Sequence, residues 1–302
     1  MKIDEFAISL GHSLHTTIPT LQRGEEINQE WSTVLHAHAE LILQDHLLQL
    51  AHAHGIRLGL IDMPYSAVTG SGRGKGRNSV HCEFIGGGKE KIYCFTDVID
   101  GTWNAISGLL FSCSTMIAFT NISQKDPNEL TLRDFQSGVV IPYCGRGIYI
   151  GEIGQATTLI AWDGEISPLR LSQEHDPTRA RFILDLFTEE EQSSLEESIK
   201  VIGPPLAEWA DFGRFYGAGV EVTCMLGVKN QTPSFAAHVS AHQKMDNIVP
   251  TYPLVVGAGG IVTDWWGESI LDKKLTDRVH VIMAANATFH QNLVTHFSKR
   301  SR

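Results

Sequence analysis

Long hydrophobic runs are missing from this chain: no stretch approaches the roughly 20 apolar residues that a bilayer-spanning helix needs. The first 21 residues, MKIDEFAISLGHSLHTTIPTL, lack the basic and apolar segments of a secretory signal. Cysteine is sparse and unpaired in pattern. Its five copies (Cys82, Cys94, Cys113, Cys144, Cys224) are odd in number and form no C-x-x-C, which argues against a disulfide framework or zinc ribbon and for a reducing compartment. These absences lead to the expectation of a cytoplasmic protein with no membrane partner. Positive charge is also in deficit, 24 Lys and Arg against 34 Asp and Glu, and a net charge of -10 disfavours nucleic acid as a partner. Both nucleotide-binding glycine signatures fail. Gly70, Gly72, Gly74 and Gly76 do not fit G-x-G-x-x-G, and Gly76 follows Lys75 where a P-loop needs Ser or Thr.

What is present is an ordinary globular composition, 42% hydrophobic and 19% charged, so a packed core is expected over the 302 residues. Apolar spacing predicts helices over 5–20 and 28–54, the second carrying Trp31, Leu35, Leu41, Ile42, Leu47, Leu48 and Leu50. Its histidines (His36, His38, His46, His52, His54) read as an exposed face, because no carboxylate or cysteine pattern completes a metal site. Strands are predicted at 56–61, 79–85, 92–96, 109–119, 138–141, 148–152 and 157–162, antiparallel in appearance. Acidic residues 171–200 read as helical, and a terminal helix begins near Thr288. Strands first, then strands mixed with helices, indicate layered sheets and helices rather than a doubly wound sheet.

The strongest local signal is Thr96-Asp97-Val98-Ile99-Asp100-Gly101-Thr102-Trp103-Asn104, directly after the apolar run Ile92–Phe95. Two carboxylates at a strand end can converge on a hard divalent cation, which prefers oxygen ligands. Gly101 permits a tight turn, and a helix starting there would offer free N–H groups and the Thr102 hydroxyl to a phosphate. The bland alternative is an acidic turn with a helix cap.

The segment Asp97–Asn104 resembles the D-P-[IL]-D-G-[ST]-x-N motif of the inositol monophosphatase-like family, which includes archaeal-type inositol monophosphatases and fructose bisphosphatases. Further stretches are similar to that family in the same order: His38-Ala39-Glu40, Gly138-Val139-Val140-Ile141-Pro142, Gly151-Glu152 with Gly154, and Arg214-Phe215-Tyr216-Gly217-Ala218-Gly219. Gly257–Asp264 with Gly267, and Met283-Ala284-Ala285-Asn286 with His290, complete the set. The resemblance covers about residues 35–297. It implies an αβαβα sandwich formed as one phosphatase domain over 1–302, with a metal-binding α+β sub-lobe at about 1–160 and an α/β substrate sub-lobe at about 161–302. It also implies a magnesium-dependent, lithium-sensitive phosphatase of a small phosphorylated substrate, acting as a homodimer with two or three Mg2+ ions. By the same resemblance, Asp97 would bridge two ions, Asp100 and the Ile99 carbonyl would add ligands, and Gly101 and Thr102 would meet the phosphate and its attacking water. Asp246, in Lys244-Met245-Asp246-Asn247, stands for the second-metal carboxylate and borders the phosphate; Asn247 is the register alternative, since the family's tryptophan is absent here.

Three departures are evident. Val98 replaces the usual proline. No Glu-Glu pair stands between the second helix and Asp97, so the remaining carboxylate would be Asp62 or Glu83. Arg73, Lys75 and Arg77 form either a loop that closes on an anionic substrate or a solvated insertion. Two other functions stay in view: an impaired homologue that binds a phosphorylated ligand, and a phosphatase of a nucleotide such as 3′-phosphoadenosine 5′-phosphate.

Overall fold

The computed structural model describes residues 3–21, 29–62, 80–101, 104–105, 109–175, 181–185, 210–212, 218–228, 233 and 235–298. Helix α1 is Ile3–Leu21 and α2 is Gln29–His54. In α1, Ala7, Leu10, Leu14 and Ile18 recur at three- and four-residue steps, so one face is apolar and fully buried. In α2 the buried stripe is Leu35, Ala39, Leu43, Leu47, Leu50 and Ala51. Leu41 and Leu48, expected on that stripe, lie outside it; Leu41 is 66% exposed.

Strands follow: β1 Ile56–Asp62, β2 His81–Ile85, β3 Glu90–Asp100, β4 Ser114–Ile122, β5 Phe135–Pro142, β6 Gly147–Glu152, β7 Thr158–Ala161, β8 Ile166–Leu171, β9 Phe182–Asp185 and β10 Ala210–Phe212. Helix α3 (Ala218–Cys224), β11 (Leu226–Val228), β12 (Ala237–Lys244), α4 (Met245–Ile248), α5 (Tyr252–Gly257), β13 (Ile261–Asp264), β14 (Arg278–Ala284) and α6 (Ala287–Ser298) complete the described elements. Nine strands form one sheet in the order β11-β8-β7-β6-β5-β4-β3-β1-β2, and five form a second, β10-β9-β12-β14-β13. The first sheet is antiparallel except for the β1–β3 pair, which runs parallel with β2 outside it. The expected helical patch at 171–200 contains a strand instead, β9, whose Phe182, Ile183 and Leu184 are buried on both faces. Residues 176–180 and 186–200 of that patch lie outside the described residues.

Helices α1 and α2 cover one face of the large sheet, sharing a core with Leu58, Ile92, Cys94, Ile117 and Ile141. The other face shares a second core with α4, α5, the five-stranded sheet and Phe289, Leu293 and Phe297 of α6. The layer order is therefore helix, sheet, helix, sheet, helix: the αβαβα sandwich. No helix among the described residues is long and apolar enough to cross a membrane.

Two glycines seat the middle layer. Gly138 of β5 and Gly151 of β6 are register partners, and their absent side chains leave a flat patch. A Cβ on Gly138 would meet the Pro250 carbonyl, and one on Gly151 would meet the backbone of Leu254 and Pro253. Helix α5 lies against that patch, and the Thr157 hydroxyl donates to the Leu254 carbonyl at 2.7 Å. The obstacle to a side chain is backbone, which cannot swing away. Gly151→Val should therefore destabilise the fold by about 1–3 kcal/mol, the usual range for overpacking, read as a lower urea midpoint with an unchanged slope. A value within experimental error of wild type would show that α5 is not held by this contact.

Candidate functional site

The site begins as an irregularity in β3. Along an unbroken strand, side chains three residues apart point to opposite faces, so Asp97 and Asp100 would be separated by the sheet. Pairing with β4 shows why they are not. Asp97 pairs with Met116 and Asp100 with Ser114, leaving Val98 and Ile99 opposite the single residue Thr115. This is a β-bulge, which inserts one residue and re-aims the next side chain. Val98 and Ile99 both pack toward the helix-side core. The two aspartates are left together on the face toward the middle layer, where α4 brings Asp246.

Asp100 is 5% exposed and firmly held. Its Oδ1 accepts the Ala218 N–H at 3.0 Å, and its Oδ2 accepts the Gly219 N–H at 2.8 Å and the Ser114 hydroxyl at 2.9 Å. Gly219 must lack a side chain here, since a Cβ would collide with Ser114 Oγ and Met116 Sδ. Burial raises the Asp100 pKa to about 6; the Gly219, Ser114 and Ala218 donors oppose this, and Asp246 adds to it. Asp97 is half-buried and its carboxyl is pushed well above the usual range, first by burial, then by the charges of Asp100 and Asp246. The Ile99 N–H and Lys244 oppose the rise. Asp246 Oδ1 accepts the Asn247 N–H at 2.9 Å.

Gly101 closes the segment with φ 85°, the left-handed region that glycine adopts without strain. Its carbonyl accepts the N–H groups of Asn104 at 2.9 Å and Ala105 at 3.0 Å, both helical residues. The Cys113 thiol donates to the same carbonyl at 3.3 Å. Thr102, beside it, lies outside the described residues, as do Arg73, Lys75, Arg77 and 213–217.

Asp97 and Asp100, both raised by burial and by the charge of Asp246, with Lys244 opposing at Asp97, have the donor chemistry of a divalent-cation site. They do not by themselves form a closed cage: among the described residues, no group of three or more His, Cys, Asp and Glu is arranged to hold a metal ion. Glu83 does not join them. It is exposed on the edge strand β2 and pairs with Leu60 of β1, whose side chain faces the helix-side core, away from Asp97. Two strand spacings and three residues of rise put it on the order of 14 Å from Asp97 along the backbone. The tight connection through Gly86 and Gly88 that places β2 outside β1 is the reason. Asp62 is the last residue of β1, with its backbone paired to His81; its side chain lies outside the described residues. The one Glu-Glu pair ahead of Asp97, Glu25-Glu26, precedes α2 and also lies outside them. Of the helix histidines, His38 and His46 each bond a carbonyl one turn back at 2.8 Å, and His36 and His46 are half-buried rather than exposed.

Sequence reasoning missed the groups that hold Asp100, and it missed Glu221. Glu221 Oε2 of α3 and His238 Nε2 of β12 lie 2.8 Å apart with both side chains 2% exposed, an ion pair when His238 is protonated. Burial raises the Glu221 pKa, His238 lowers it, and Asp100 raises it. No motif announces such a pair, because its partners are 17 residues apart on elements of different layers.

The whole molecule can be matched to known structures, although no protein-family model and no curated protein sequence matches the chain. The extragenic suppressor protein SuhB of Bartonella henselae superposes with a TM-score of 0.66 at 14% identity, covering 99% of this chain and 100% of that one. Inositol monophosphatase II of Staphylococcus aureus gives 0.65 at 12%, covering 99% and 94%. The IMPase of Thermotoga maritima gives 0.65 at 15%, covering 100% and 98%. Two further structures of the S. aureus protein are described as bound to inositol monophosphate and to 2′-AMP. At such identities the likeness establishes the fold: this chain is folded as the inositol monophosphatases are.

Two outcomes are expected of these buried charges. A carboxyl whose folded-state pKa lies above 3.8 contributes stability below that pH and loses it as pH rises through the folded-state value. In chelator, Asp97→Asn should therefore melt higher than wild type near pH 8, with the gain fading toward about pH 4. A lower melting temperature near pH 8 would show that the acids do not repel. His238→Ala leaves Glu221 buried without its cation and should cost about 3–5 kcal/mol in urea unfolding. A loss under 1 kcal/mol would show that the pair carries no charge.

Proposed function

We propose that this chain is a magnesium-dependent phosphoric monoester hydrolase whose substrate is a small phosphorylated polyol or sugar, such as an inositol phosphate. The observation that carries the reading is the bulge that turns Asp97 and Asp100 to one face, beside Asp246 and beside the turn at Gly101. Asp97, Asp100, Asp246 and the Ile99 carbonyl would hold the ions, two or three in number, with Asp62 the remaining candidate. When bound, magnesium would offset phosphate charge and lower the pKa of an attacking water.

The chain's own groups do the rest. Ser114, Ala218 and Gly219 fix the Asp100 carboxylate in one orientation, so it is ready to coordinate without reorganising. Lys244 places positive charge near Asp97. The turn after Gly101 is proposed to direct N–H groups and the Thr102 hydroxyl at the phosphoryl oxygens. For a chain of net charge -10, such local donors and cations are what lets an anionic substrate approach. Both ligands named for the S. aureus structures, inositol monophosphate and 2′-AMP, are small phosphate monoesters, which supports this substrate class. We place the protein in the cytoplasm as a homodimer that lithium inhibits.

Glu83 supports a second reading. With that carboxylate exposed on the edge strand, the chain would have lost one ligand and would bind a phosphorylated molecule without turning it over. A panel of phosphate monoesters assayed with magnesium decides between them. Phosphate release is expected, abolished by chelator and reduced roughly 10³-fold or more in Asp97→Ala, the loss of several kcal/mol of transition-state stabilisation. Full turnover in excess chelator, or in Asp97→Ala, would refute the mechanism. Binding of inositol monophosphate by calorimetry without turnover of any panel member would favour the binding protein.

A further inference from the structure

Beneath the bulge, on the face away from the acids, two hydroxyls meet one carbonyl. The Thr115 Oγ1 lies 2.8 Å from the Val98 carbonyl oxygen, and the Tyr143 Oη lies 2.8 Å from the same atom. The hydroxyls are 3.0 Å from each other. Thr115 and Tyr143 are both fully buried. Three contacts share two hydroxyl protons, so at any moment either both donate to Val98 or one donates to the other and that one to Val98. Under each arrangement the carbonyl is served.

It needs to be. A bulge removes its extra residue from the ladder, and a buried carbonyl left without a donor is unfavourable. Val98 has no ring to fix its φ, so the shape of the bulge depends on what its carbonyl meets. Thr115 is the β4 residue that the bulge straddles. Tyr143 reaches it from just beyond β5, anchored by its own N–H to the Cys113 carbonyl at 3.0 Å and by its carbonyl 3.3 Å from His15 Nδ1 of α1.

We propose that Thr115 and Tyr143 are positioning residues of the acidic site, acting through the Val98 carbonyl to hold the bulge that keeps Asp97 and Asp100 on one face. Tyr143 packs in the helix-side core, where burial raises its pKa, and it lies near enough to Asp97 and Asp100 for their charges to raise it further. The effect is on the peptide between the two aspartates, and so on the Ile99 N–H that donates to Asp97 and on the spacing of the two carboxylates. Its consequence for metal binding rests on the reading under Proposed function.

The isosteric variants Thr115→Val and Tyr143→Phe, alone and together, separate this role from plain core packing. Hydrogen exchange of the peptide spanning 96–101 is measured in the metal-free protein, and Mn2+ affinity by electron paramagnetic resonance. Each single variant keeps one donor on Val98 and should stay close to wild type in both. The double variant should exchange faster in that peptide and in no other strand, and bind Mn2+ about 10- to 100-fold more weakly, the usual effect of losing groups that orient metal ligands. Restoring either hydroxyl should rescue both readouts. The proposal is overturned if the double variant exchanges faster throughout the sheet, or if its Mn2+ affinity matches wild type while it is folded. Should that double variant not fold, Thr115→Ala with Tyr143→Phe, which also removes both donors, is used, and unchanged exchange of 96–101 there overturns it equally. A wild-type protein that binds no Mn2+ removes the metal reading, while the exchange pattern still decides the brace.

Discussion

Like charges cannot be brought together inside a protein unless the chain is forced to do it and something holds it there. Here the forcing is backbone geometry. A strand places residues three apart on opposite faces, and one extra residue in β3 reverses that for Asp97 and Asp100. Everything around the site follows from stabilising that departure: hydroxyls on the Val98 carbonyl from one side, N–H groups and Ser114 on the Asp100 carboxylate from the other. Ionised carboxyls buried together beside a third charge are unfavourable, and a bound divalent cation would relieve that.

The middle layer depends on missing side chains. Gly138 and Gly151 let α5 lie directly on β5 and β6, and Gly219 lets the start of α3 approach Ser114 closely enough to donate to Asp100. At Gly138 and Gly151 position is set by contact with backbone, which deforms less than side-chain packing, whereas at Gly219 the close neighbours are the Ser114 and Met116 side chains. The ion pair between Glu221 and His238 ties the same short helix to β12, so the donors that hold Asp100 are themselves anchored in the second sheet's layer.

Much of the fold was legible. The helical periods of α1 and α2 and most strands of the first sheet follow from spacing that burial makes regular. Where reading failed, tertiary context overrode local composition. β9 sits among acidic residues that suggested a helix, yet Phe182 to Leu184 are buried on both faces in the second sheet. Leu41 and Leu48 share the apolar spacing of α2 yet face outward, because hydrophobicity alone does not say which of two apolar stripes the sheet covers. Glu83 had the right chemistry, but β1 stands between its strand and β3, and strand order is not written in a local motif.

The sequence by itself determined the acidic segment, its glycine turn and the layered alternation of elements, because each depends on residues adjacent in the chain. The tertiary structure decided which carboxylates meet, which face they share and what holds them. Those are settled by register, by the bulge against Thr115, and by donors from residues 114, 143, 218 and 219, which the chain's own spacing does not bring together until the sheets have paired.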